Sequence, residues 1–211
     1  GQGRHRDEVR AVLESNAAPI RPERLMSELA RRLKSDDIVV ADASYASIWI
    51  SNFLRAERAG QRFLTPRGIA GLGWGLPMAL GAKVAAPDSR VFCLAGDGGF
   101  AHCWAELETA VRMQLPVVTM ILNNGILGYQ KHAELSRYGV HTDAVAFAAV
   151  DHAAVARACG CVGIRVDDPT KLGAALDEAI ACVRPVVIDV ITDPNAYPPI
   201  TGFTGAIERY V

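Results

Sequence analysis

The stretch RVFCLAGDGGF at residues 90–100, read together with PVVTMILNNG at residues 116–125, decides the fold. Both stretches contain a short apolar run that lacks polar alternation, and the second run is rich in β-branched residues. Such runs are typical of parallel strands that are buried on both faces. The segment from Trp104 to Leu115 predicts a helix between them, so the two strands form a βαβ unit and lie parallel.

Two polar side chains follow these strands. Asp97 comes directly after the first strand and Asn124 follows the second, 27 residues later. Because the carboxyl ends of neighbouring parallel strands open onto one crevice, we expect the two side chains to meet there. Carboxylate and amide oxygens suit Mg²⁺ beside a phosphorylated ligand. Gly98 and Gly99 let backbone N–H groups approach a diphosphate where a helix begins.

Each motif also has a simpler interpretation. Gly-Asp-Gly and Asn-Asn-Gly are both common turn sequences when they occur alone. The glycine series in GLGWGLPMALGAK at residues 71–83 could pass for a dinucleotide fingerprint, but it does not follow a predicted strand. The presence of two buried strands at this spacing favours a magnesium-diphosphate site over a pair of turns.

The two motifs and the segment at residues 71–83 resemble the C-terminal thiamin-diphosphate-binding domain, or PP domain, of acetolactate synthase-like (acetohydroxyacid synthase-like) enzymes. The resemblance implies thiamin diphosphate (ThDP) and Mg²⁺ as cofactors. It also implies an α/β fold, a three-layer sandwich with a mainly parallel central sheet and helices on both faces. The apolar runs predict five strands, at Ile38–Ala41, 90–95, 117–122, Val162–Val166 and Val186–Ile191.

The resemblance assigns site residues as well. It gives the metal to the Asp97 carboxylate, the Asn124 side-chain oxygen and the main-chain oxygen of Ile126. Leu72 takes the place of the apolar residue that is wedged under the bent cofactor, and the Ala70 carbonyl accepts a hydrogen bond from the cofactor's amino group. The implied cofactor-binding residues are Ala70, Leu72, Gly96, Gly98, Gly99 and Tyr45.

The activity implied by the resemblance is the decarboxylation of a 2-oxo acid followed by carboligation. The resemblance covers only the C-terminal part of the family's usual subunit. The glutamate that activates the cofactor belongs to an N-terminal pyrimidine-binding domain of the same or a neighbouring subunit, so no catalytic residue is assigned and we expect this chain alone to be inactive. We expect a homodimer or homotetramer. Three alternatives stay open: a decarboxylase or lyase for another 2-oxo or 2-hydroxy acid, a separately encoded subunit, and a non-catalytic ThDP-binding domain.

Composition supports an α/β domain without nucleic-acid or membrane partners. The chain has 211 residues, half of them apolar, with 22 basic and 23 acidic side chains and no strongly basic block. No apolar stretch reaches the length of a membrane span, and the five cysteines suggest free thiols. We therefore expect a cytoplasmic protein.

The organisation predicted along the chain has three parts. Residues 1–20 form a linker or the tail of a preceding domain, residues 21–192 the ThDP-binding domain, and residues 193–211 an extended C-terminal tail. The start at Gly1 instead of Met suggests a fragment. Tyr129, Gln130 and His132 are candidates for substrate contact, or else polar residues of a solvent-facing helix.

Overall fold

A six-stranded, fully parallel sheet forms the centre of the protein in the computed structural model, which describes residues 10–199. The strands lie in the order β2-β1-β3-β4-β6-β5, and every neighbouring pair is parallel. This arrangement confirms the predicted α/β fold and all five predicted strands. The bounds are β1 Ile38–Ala41, β2 Arg62–Leu64, β3 Val91–Gly96, β4 Val117–Asn123, β5 Val162–Val166 and β6 Val186–Ile191.

The edge strand β2 is absent from the sequence-based prediction. It has only three residues, which pair with Ile38–Val40 of β1. Arg62 is exposed and the other two residues are half-buried. Because an edge strand has a sheet neighbour on one side only, it does not need the continuous apolar run that marks the inner strands.

Eight helices flank the sheet within the described residues, beside a short helical stretch at its amino-terminal limit. The helices α1, α2 and α8 pack on one face, whereas α3, α5 and α7 pack on the other, which gives the predicted three layers. No helix in the described part of the chain is long and apolar enough to cross a membrane. The bounds are α1 Pro22–Ala30, α2 Tyr45–Phe53, α3 Gly75–Ala85, α4 Asp97–Ala101, α5 Glu106–Arg112, α6 Gly128–Tyr138, α7 His152–Ala158 and α8 Leu172–Ala181.

The strand side chains alternate between the two cores. Val39 and Phe92 lie in the core beneath α1, α2 and α8, whereas Val40 and Cys93 lie in the core on the opposite face. All four are fully buried. Since successive strand residues point to opposite faces, a sheet covered on both sides favours apolar residues along its inner strands, and the buried polar Thr119 and Asp189 are exceptions.

The chain segments that enter and leave the sheet domain pair with each other. Ile20 is fully buried and pairs in parallel with Thr192, directly beyond β6. The Ile20 N–H donates to the Ile191 carbonyl at 2.9 Å, and the Asp193 N–H donates to the Ile20 carbonyl at 3.0 Å. The division into residues 1–20, 21–192 and 193–211 stays a prediction, since residues 1–9 and 200–211 lie outside the described residues.

Gly163 of β5 provides a test of the packing between β5 and α7. A Cβ at this position would collide with the Ala153 carbonyl of α7, so we expect Gly163→Ala to lower the free energy of unfolding by about 2 kcal/mol or more. The matched control is Gly81→Ala in α3, where a Cβ meets nothing within 4 Å. This variant should raise the free energy of unfolding by about 0.5–1 kcal/mol. Denaturant unfolding measures both, and equal stability of the two variants would contradict the packing.

Candidate functional site

A small pocket of about 50 Å³ opens where β1, β3 and β4 end. It lies at the carboxyl edge of the sheet, where parallel α/β sheets bind ligands. All the predicted site residues except Ala70 line it: Tyr45, Leu72, Gly96, Asp97, Gly98, Gly99, Asn124 and Ile126. Residues from four separate parts of the chain therefore meet in one place.

Asp97 is the buried acid of the pocket. It is the first residue of α4, and 6% of its surface is exposed. One carboxylate oxygen accepts the Gly98 N–H at 2.8 Å and the other accepts the Gly125 N–H at 2.7 Å. Burial raises the pKa of Asp97 to about 6 in spite of these bonds. The backbone amides therefore offset only part of the effect of burial on this carboxylate.

The loop after β4 holds the amide oxygen. The Asn124 Oδ1 atom accepts the Ile126 N–H at 3.1 Å, across a turn in which Gly125 has a φ of 69°. The neighbouring Asn123 makes other contacts. Its Nδ2 atom donates to the Val150 carbonyl and to Asp189, both at 2.9 Å. Of the two asparagines, only Asn124 lines the pocket.

The glycines of the pocket are needed for packing within the protein. A Cβ at Gly98 would lie 2.8 Å from the Cδ2 atom of Leu127 and from the Cζ atom of Phe147. A Cβ at Gly99 would collide with the carboxylate of Asp42. Beyond Asp97, the first turn of α4 therefore presents bare backbone to the pocket, which is the surface a diphosphate requires.

The segment before α3 supplies Leu72 but not Ala70. The side chain of Leu72 lies beside Gly99, with its Cδ2 atom 3.6 Å from where a Cβ of that glycine would be. Ala70 is exposed, does not line the pocket and has a φ of 58°. Its predicted contact with the cofactor stays a prediction.

Asp42 is a buried residue of the site that the sequence did not single out. Its carboxylate accepts the N–H groups of Gly73, Trp74 and Gly75 at 3.0, 3.1 and 3.2 Å. The only sequence signal was its place directly after a buried strand, like that of Asp97. A carboxylate at a strand end is common, and nothing local indicates that this one bonds to amides more than 30 residues away.

Tyr45 forms one wall of the pocket and contacts His132. The Tyr45 hydroxyl forms a hydrogen bond with the Nδ1 atom of His132, whose ring also packs edge-on against Tyr197 at 5.0 Å between centroids. Burial lowers the pKa of His132 to about 4 and raises the pKa of Tyr45 above its usual range. None of the predicted substrate contacts, Tyr129, Gln130 and His132, lines the pocket.

A second cavity of about 370 Å³ adjoins the first and shares Leu72, Asp97, Gly98 and Leu127 with it. Its remaining walls are largely apolar and aromatic, with three polar side chains among them. The residues that complete it are Ala101, His102, Trp104, Asn123, Phe147, Ala148, Val150 and His152. The pocket at the strand ends therefore opens beside a space large enough for a small organic group.

The donor set defines which metal could bind. Among residues 10–199, no group of three or more His, Cys, Asp or Glu side chains could hold an ion. A metal in the pocket would therefore rely on one carboxylate, an amide oxygen, backbone carbonyls and ligand oxygens. That set fits Mg²⁺, which is usually held by one or two carboxylates and a bound phosphate, and it does not fit zinc.

Comparison with known proteins identifies the domain. The profile described as "Thiamine pyrophosphate enzyme, C-terminal TPP binding domain" matches residues 42–190. The chain belongs to this family. Its cofactor is therefore thiamin diphosphate, with Mg²⁺ as the ion typical of the family, and the match confirms the resemblance seen in the sequence.

Individual relatives of this TPP-binding domain are acetolactate synthases and a decarboxylase. The chain is 38% identical to the acetolactate synthase large subunit IlvG of Mycobacterium tuberculosis over 198 residues, which are 92% of the chain and 35% of that protein. It is 31% identical to the probable acetolactate synthase large subunit of Methanococcus aeolicus, covering 93% of the chain and 34% of the relative.

A solved structure has the same fold. The thiamine diphosphate-dependent 4-hydroxybenzoylformate decarboxylase of Rhodococcus jostii RHA1 superposes with a TM-score of 0.78 at 28% identity, covering 85% of this chain and 34% of the other. The chain thus spans about a third of the length of the relatives that it matches.

The buried His132 predicts a pH-dependent stability. Its pKa is about 4 in the folded protein and about 6.5 when unfolded, so the unfolded state binds the proton first and stability falls as the pH drops from 6.5 towards 4. We expect His132 to account for a loss of about 2 kcal/mol between pH 7 and pH 5. His132→Gln, which keeps an acceptor for Tyr45 but cannot be protonated, should abolish this contribution to the loss of stability.

Denaturant unfolding at both pH values measures the effect. His141→Gln serves as the control, because His141 is exposed, and should keep the wild-type dependence. If His132→Gln retains the full loss of stability at pH 5, the proton is taken up elsewhere.

Proposed function

We propose that this domain holds Mg²⁺ and the diphosphate of ThDP between residues 96–99, where β3 ends and α4 begins, and the loop at residues 124–126. The whole enzyme would then act as an acetolactate synthase-like carboligase on 2-oxo acids. One observation carries the proposal. A buried carboxylate and an amide oxygen from adjacent parallel strands face one glycine-lined pocket, in a chain that belongs to the TPP-binding family.

The residues of the pocket fit the metal by their chemistry. The Asp97 carboxylate, the Asn124 Oδ1 atom and the Ile126 carbonyl supply three oxygen donors, and diphosphate and water would complete the shell. Gly98 and Gly99 would turn the amides of the first turn of α4 towards phosphate oxygens. The positive ion would also stabilise the Asp97 charge, whose burial is otherwise incompletely compensated.

The protein's part in the reaction is positioning. ThDP, when bound, supplies the carbon nucleophile that adds to the carbonyl of a 2-oxo acid. Leu72 would support the bent cofactor from below, while Tyr45 would close the side of the pocket towards α2. The adjoining 370 Å³ cavity would keep part of the site apolar.

The remaining groups would come from outside this chain. The relatives are about three times as long, and an N-terminal pyrimidine-binding domain of the same or a neighbouring subunit would supply the acid that activates the cofactor. Two exposed apolar side chains near the segment of Leu72 support docking there, since Ile69 is fully exposed and Trp74 is 61% exposed.

A second candidate is simple decarboxylation of an aromatic 2-oxo acid. It is favoured by the likeness to the 4-hydroxybenzoylformate decarboxylase. The two activities differ in their product, because a carboligase turns pyruvate into acetolactate whereas a decarboxylase releases an aldehyde. Product analysis with the full-length subunit separates them.

Asp97→Asn tests the metal site. The amide lacks the charge that Mg²⁺ requires, so we expect Mg²⁺-dependent binding of ThDP to weaken at least about a hundredfold, or about 2.7 kcal/mol. Isothermal titration calorimetry of the 211-residue chain measures the affinity. Asp143→Asn, which changes an exposed acid outside the pocket, should bind like the wild type. Equal affinity in all three proteins would exclude Asp97 as a metal ligand.

A further inference from the structure

Asp42 links the two glycine-rich segments of the site. It follows β1, its N–H donates to the Leu94 carbonyl of the neighbouring strand at 2.8 Å, and only 1% of its surface is exposed. We infer that Asp42 is a positioning residue that sets Leu72 against residues 96–99, the part of the site proposed to bind the diphosphate. The inference rests on the proposed function, because it assigns how that site orients its cofactor.

The carboxylate of Asp42 caps the start of α3, although Asp42 lies 31–33 residues earlier in the sequence than the amides it binds. Helix α3 begins at Gly75, and the residue before it, Trp74, offers no side-chain acceptor for the first free amides. Asp42 accepts three successive N–H groups there, at 3.0–3.2 Å. A negative charge at this end of a helix is stabilised by the aligned peptide dipoles. The turn that precedes α3 is therefore fixed by a residue that directly follows strand β1.

The space around Asp42 is closed on two sides by glycines. A Cβ at Gly75 would lie 2.9 Å from the Asp42 Cβ atom, and one at Gly99 would collide with its Oδ2 atom. Gly75 belongs to the segment at residues 71–83 and Gly99 to the first turn of α4. A single carboxylate thus fills the slot where the two motifs pack against each other.

Leu72 directly precedes the first of the three amides that Asp42 binds. The amide that follows it, that of Gly73, donates to the Asp42 Oδ2 atom, and Gly73 itself has a φ of 90°. Without the carboxylate, this turn would lose the bonds that hold Leu72 beside Gly99. None of the described hydrogen bonds of Asp42 goes to a proposed metal ligand, and a side chain of the same size would keep the packing against Gly99, so the diphosphate half of the site should remain intact.

The experiment compares two ligands that share a diphosphate. Asp42→Asn keeps the size of the side chain but removes its charge and one acceptor. In the 211-residue chain with Mg²⁺, we expect ThDP to bind about tenfold more weakly or worse, which is the loss expected for weakened charge-assisted hydrogen bonds. Inorganic pyrophosphate should bind within about twofold of the wild-type affinity.

Two further variants sharpen the comparison. Leu72→Ala should also reduce the preference for ThDP, and adding it to Asp42→Asn should bring little further loss, because both changes act on the same contact. Asp37→Asn is the matched control. Asp37 is buried to a similar degree at the opposite end of β1, where it pairs with Arg90, and its loss should leave the ThDP preference unchanged.

Amide hydrogen exchange gives a measurement that needs no ligand. We expect the amides of Gly73, Trp74 and Gly75 to exchange about tenfold faster in Asp42→Asn, while those of β3 stay protected. Unchanged exchange at these three amides, or equal weakening of ThDP and pyrophosphate, would overturn the inference. If the wild-type chain binds neither ligand, the proposed function itself fails and the inference falls with it.

Discussion

The parallel pairing of β3 with β4 is the constraint on which the site depends. Gly96 lies opposite Leu122, so both strands end at one edge and the residues that follow them face the same pocket. A slip of one residue would move every side chain of a strand to the opposite face. The two apolar cores that cover β3 and β4 exclude such a slip, and they thereby fix the distance between the loops that carry Asp97 and Asn124.

Three buried carboxylates near this edge are compensated in different ways. Asp189 meets Arg165 at 2.8 Å and also binds Asn123, and Asp42 accepts three backbone amides at the start of α3. Asp97 receives backbone amides only and keeps a raised pKa. Because a buried charge needs a compensating partner, Asp97 is the carboxylate that the proposed Mg²⁺ would stabilise.

The sequence predicted the features that depend on local pattern. Continuous apolar runs located five strands, and their polar ends placed Asp97, Asn124 and the glycines correctly in one pocket. The edge strand β2 was missed because three half-exposed residues carry no such pattern. The bonds of Asp42 and the pairing of Tyr45 with His132 join positions 31–33 and 87 residues apart. Such contacts depend on how elements pack in three dimensions, which periodicity does not encode.

The bridge between Ile20 and Thr192 has a mechanical consequence. The two residues pair in parallel, so tension applied to the chain before residue 20 and after residue 193 pulls the pair in opposite directions and loads its hydrogen bonds in shear. Thr192 and Ala196 also line the pocket. Force on the segments flanking the sheet would therefore act directly on the wall of the pocket through Thr192.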